Sequence, residues 1–132
     1  KLIGKNPYNE DIKQYGFEDV LLGKRFKALN AKINHIDNPV LFNDFELNAV
    51  FLCKTEEALR TLSTFQTELK GYSNLLKITG KLQKMHISWI GVWLYKFLHK
   101  PLKYNLKGNN PNVFLFNIYK LLYFLHYNSI RK

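Results

Sequence analysis

Three stretches beyond residue 46 carry apolar side chains at helical spacing, and they leave little room for any other local structure. Phe51, Ala58, Phe65, Leu62 and Leu69 form one stripe of a long helix. Its start reads as the box Asn43 to Glu46, an asparagine three residues before a glutamate, and it runs to about Leu69. Glu56 and Glu57 lie at helical pairing distance from Arg60. A second helix, about Lys81 to His99, holds MHISWIGVWLYKFL and stops before Pro101. A third, VFLFNIYKLLYFLHYN, follows the turn GNNPN, with Pro111 suited to a helix start. Gly71 and Gly80 bracket a loosely helical connector.

The first third reads differently. Residues 1–16 suggest loop and turn, with Asn6-Pro7 and Gly16 as punctuation. From Phe17 to about Asn30 apolar residues return at helical spacing, and Glu18 and Asp19 fall in the first turn, where the helix dipole favours carboxylates. KINHI (32–36) alternates polar and apolar, as a short strand does, and Asp37-Asn38-Pro39 turns the chain into a second strand-like piece, VLF (40–42). Helix, strand and turn in this order predict the last unit of an α/β sheet.

Charge divides the chain in the same place. Residues 1–46 balance seven bases with seven acids, whereas residues 47–132 hold thirteen bases and three acids, none after Glu68. The net charge of +10 therefore belongs to an aromatic-rich tail and points to an anionic partner, lipid headgroup or nucleic acid. No nucleic-acid motif is present, and the aromatics fall among aliphatics, so nucleic acid is the lesser of these readings. The run ISWIGVWLY is far short of the roughly 20 residues a membrane span needs. Trp89, Trp93, Lys96, Lys100 and Lys103 instead suit a helix lying on a membrane surface. The plainer alternative makes the same stripe core, with its lysines solvated.

Cys53 is the only cysteine, which rules out an internal disulfide and suits a reducing compartment; its place in a helical stripe predicts a buried thiol. His35, His86, His99 and His126 show no metal-ligand spacing.

The residues from Tyr8 to Leu59 carry a more specific signal. Tyr8-Asn9-Glu10, Tyr15-Gly16-Phe17-Glu18-Asp19, Leu22-Gly23-Lys24-Arg25-Phe26, Ile36-Asp37-Asn38-Pro39-Val40 and FLCKTEEAL (51–59) follow one another in the order and spacing of a known pattern. The chain resembles the C-terminal part of bacterial family 2 glycosyltransferases, strongly over its first half and only in general character beyond it. The resemblance implies an α/β fold: the end of a GT-A-like core over residues 1–46, a long helix and connector over 47–79, and a basic helical extension over 80–132. It also implies transfer of a sugar from a nucleotide diphosphate to an acceptor hydroxyl, by inversion, in cell-surface glycan synthesis.

A hydroxyl is a weak nucleophile at neutral pH, so a carboxylate must take its proton as the bond forms. By resemblance Asp19 is that base and Glu18 holds the acceptor, with Tyr15, Gly16 and Phe17 forming the acceptor-binding loop. The family's Asp-x-Asp triplet, which binds Mg or Mn and the diphosphate, does not occur here; the resemblance puts it upstream of Lys1 and makes this sequence a fragment. Phe42 stands where many members have a metal-binding histidine, leaving Asp44 as the substitute ligand. The implied partners are a nucleotide-sugar donor and a glycan or lipid-linked acceptor. The implied location is cytoplasmic, at the inner face of the plasma membrane. The rival reading is a non-catalytic basic helical domain that binds a membrane surface or a protein.

Overall fold

The computed structural model describes residues 15–41 and 45–131. Five helices account for the ordered elements among them: α1 (Glu18–Ala28), α2 (Asn48–Thr64), α3 (Asn74–Lys84), α4 (Ser88–Lys107) and α5 (Val113–Ile130). No strand occurs among the described residues, which overturns the α/β expectation. KINHI remains extended but pairs with nothing. A strand is stable only with a ladder partner and a covered face. Here Ile33, Ile36, Val40 and Leu41 are all exposed, Leu41 at 88%.

The core is built by α2, α4 and α5. Leu52, Leu59 and Leu62 of α2 meet Leu102 and Leu106 of α4 and Tyr119, Leu122, Tyr123 and Phe124 of α5, with Leu69 closing one end. Four consecutive residues, Leu122 to Leu125, are buried, so α5 is covered on all sides and is the central helix. A five-residue turn, Gly108 to Asn112, joins α4 to α5 as a helical hairpin, and α3 packs against both. The stripe on α2 is turned from its expected position. Leu52 is buried while Phe51 is half exposed, and Cys53, one step round from Leu52, is exposed rather than a buried thiol.

Local chemistry sets the helix ends. Asn112 Oδ1 accepts from the Phe114 and Leu115 amides, and Asn112 N donates to Asn105 Oδ1, so one asparagine caps α5 and ties the turn to α4. Ser73 Oγ caps α3, which is a full helix running through Gly80 rather than a loose connector. α1 and α3 close in the same way: Asn30 and His86 take positive φ, and the next amide reaches back to Phe26 O or Leu82 O, satisfying the last carbonyls. α2 starts at Asn48, later than the Asn43 box implied (Asn43 lies outside the described residues), and ends at Thr64.

α4 passes straight through Pro101, where the sequence predicted a stop. Proline removes one i to i−4 hydrogen bond, the one Phe97 O would accept. Both Phe97 and Pro101 face solvent, so water can take the freed carbonyl, while Leu102 and Leu106 hold the second half of the helix in the core.

Candidate functional site

The Tyr15-Gly16-Phe17 loop is fastened to α2 before it enters α1. Tyr15 N donates to Glu57 Oε1 at 3.2 Å, and Tyr15 O accepts from Thr61 Oγ1 at 3.0 Å. Between these anchors Gly16 lies against Ala58, at a φ of 112°. Phe17 follows in the left-handed region at φ 69°, a strained position for an aromatic residue. Two segments over forty residues apart in sequence, YGFED and KTEEALRTL, thus interlock through Glu57, Ala58 and Thr61.

Past the loop the two acids part company. Glu18 is half-buried, and its Oε2 accepts from Gly16 N at 3.0 Å, bracing the turn. Asp19 is exposed, with Oδ1 accepting from Val20 N at 2.8 Å. Beside them runs a groove of about 630 Å³ whose walls include Tyr15, Phe17, Phe51, Lys54, Phe116 and Lys120. Tyr15 and Phe17 line it; Glu18 and Asp19 do not. Lys54 pairs with Glu46, and its ammonium stands over the Tyr15 ring. Lys120 lies 4.5 Å from the centre of the Phe116 ring, and burial lowers its pKa. The groove therefore offers aromatic faces, two cations and one carboxylate.

Asp44 lies outside the described residues. Among those described, no three acidic, histidine or cysteine side chains gather to hold a metal ion. The described residues thus do not supply a site for Mg or Mn, and no step below passes through one.

A second polar cluster escaped the sequence reading. Glu56 was expected to pair along α2 with Arg60; instead its carboxylate takes Lys103 Nζ at 2.7 Å and the Tyr119 hydroxyl at 2.5 Å. Burial and the hydrogen-bonded Glu56 raise the Tyr119 pKa far above its ordinary value. Arg60 donates through Nε to the Tyr123 hydroxyl at 2.9 Å. The signal for Glu56 was its rarity, as one of three acids after residue 46 and set in an apolar stripe, but its partner lies 47 residues away.

The residues expected at a membrane surface divide. Trp89, Trp93, Lys96 and Lys100 are exposed on α4, whereas Lys103 turns inward to Glu56. No helix among the described residues is long and apolar enough to cross a membrane.

Behind α4, His126 stacks on Tyr95 with centroids 4.5 Å apart, and its Nδ1 is buried without a partner. Burial, then Lys96 and His99, depress its pKa below 6.5. A histidine neutral when folded binds fewer protons than in the unfolded chain, so it contributes stability above 6.5 that is lost as pH falls through its folded value. His126→Phe keeps the stacking and removes the titration. Its thermal midpoint should fall less than that of the parent chain between pH roughly 8 and 5.

No family model matches the chain, and neither a curated protein nor a solved structure matches it.

Proposed function

We infer that the chain forms the acceptor side of a nucleotide-sugar glycosyltransferase. The observation that carries this reading is the interlock of YGFED with KTEEALRTL. The two motifs that most define the resemblance are also in contact, through Tyr15–Glu57, Tyr15–Thr61 and Gly16–Ala58. Residues with no shared task have no need of a strained Phe17 and a glycine pressed against a helix backbone. The proposal concerns the chemistry of this loop and carries no α/β architecture with it.

In this reading an acceptor sugar lies along the aromatic groove beside Tyr15 and Phe17, and Glu18 steadies it. The Asp19 carboxylate takes the acceptor hydroxyl proton as that oxygen attacks the anomeric carbon. The bond from that carbon to the nucleoside diphosphate breaks, and the diphosphate leaves with the electron pair. Donor binding falls to a part of the enzyme that these residues do not contain.

The test is made on the polypeptide that carries both halves, by following nucleoside diphosphate release from a panel of nucleotide sugars. Asp19→Asn should lower turnover by about 10²- to 10⁴-fold, the usual share of a general base, with helical ellipticity unchanged. Glu18→Gln should chiefly raise the acceptor KM. Turnover by Asp19→Asn within a few-fold of the parent enzyme would remove Asp19 from the role, and no release from any donor by the parent enzyme would remove the class.

A further inference from the structure

We propose that the outer face of α4 docks on an anionic lipid surface. At about 100° per residue, Trp89, Trp93, Lys96, Phe97, Lys100, Tyr104 and Lys107 share one side of the helix. All seven are exposed, with Trp89 at 66%, Phe97 at 62% and Tyr104 at 85%. Trp93 and Phe97 pack ring against ring, 4.7 Å apart, on the outside of the molecule. An exposed aromatic row this long marks an interaction surface.

Charge selects the partner. Lys96, Lys100 and Lys107 form no ion pair among the described residues, and no acid follows Glu68. Glu56, the acid nearest in the fold, is already occupied by Lys103 and Tyr119. Aromatic rings interleaved with unpaired lysines on one helix face match the boundary of a bilayer: rings enter the acyl–headgroup zone and flexible lysine stems carry their ammonium groups out to phosphate. α4 cannot cross the bilayer and so lies along it. A cleft of about 370 Å³ opens on the same face, and Ser88, Lys96 and Ser129 on its walls offer donors for a headgroup phosphate. This inference stands on α4 alone and is independent of sugar transfer.

Both tryptophans of the chain lie on this face, so their emission reports directly on it. Vesicles of phosphatidylcholine with phosphatidylglycerol should shift the emission to the blue and protect it from acrylamide, and high salt should reverse both effects. Lys96→Gln and Lys100→Gln should each weaken partitioning about fivefold. Trp93→Ala, at an exposed position, should weaken it further with helical ellipticity retained. Three results would overturn the proposal: no shift at low salt, an equal shift with pure phosphatidylcholine, or a shift that grows with protein concentration without vesicles. The last would make a second copy of the chain the occupant.

Discussion

Gly16→Ala is expected to release α1 from the rest of the molecule while leaving the α2–α5 core folded. A Cβ at this position would stand 2.5 Å from Ala58 Cβ and 2.8 Å from Ala58 Cα. The second of these is helix backbone and cannot rotate aside. The φ of 112° adds strain of its own for any residue with a side chain. Strain of this kind costs about 1–3 kcal/mol, and the direct overlap adds to it. Little opposes that cost: α1 has no buried residue, and only Phe17, Val20 and Leu21 reach the core. The readout is local. Amide exchange in α1 should accelerate roughly 5- to 150-fold, the equivalent of that strain, and limited proteolysis should cut within residues 18–41. The denaturation midpoint followed through the core should move little. Adding Ala58→Gly removes the overlap but not the strain, so it should restore part of the protection. Unchanged exchange in the single variant would show that the loop is not held as described.

Glu56→Ala is the counterpart inside the core. It deprives the Tyr119 hydroxyl and Lys103 of their shared acceptor at once, and Tyr119 is fully buried. Breaking a buried ion pair costs more than the pair contributes, because one charge stays behind without its solvent. Lys103 retains partial access to water, which brings the expected loss to about 2–3 kcal/mol. Tyr119→Phe removes one hydrogen bond but leaves Glu56 with Lys103, so it should cost about 1 kcal/mol. Guanidinium denaturation of the two variants separates them. Similar losses would mean that the hydroxyl, not the ion pair, organises the cluster.

These predictions fall on opposite sides of what the sequence made legible. The glycine and the first-turn acids were visible because backbone chemistry is local: the motif names Gly16, and α1 begins at Glu18 as the acids suggested. Helical spacing located α2, α4 and α5 for the same reason. Lys103 toward Glu56 was not visible, since nothing in either neighbourhood specifies a partner 47 residues away. The stop before Pro101 failed because tertiary packing outweighed propensity: Leu102 and Leu106 continue the stripe into the core, and solvent accepts the missing hydrogen bond. KINHI had the alternation of a strand without the neighbour that makes one. At the candidate site, the acids were placed correctly on the helix, but the groove beside them was out of reach. Its far wall comes from Phe116 and Lys120, a hundred residues downstream.

The tyrosines and tryptophans are sorted by depth, and that gives the molecule two separate optical channels. Tyr119 and Tyr123 are sealed inside, ringed by Tyr95 and Tyr127 at centroid separations near 6 Å, whereas both indoles stand outside. Near-ultraviolet ellipticity from the phenols will therefore follow loss of the interior. Indole fluorescence will register whatever touches the exterior and stay almost silent while the chain unfolds.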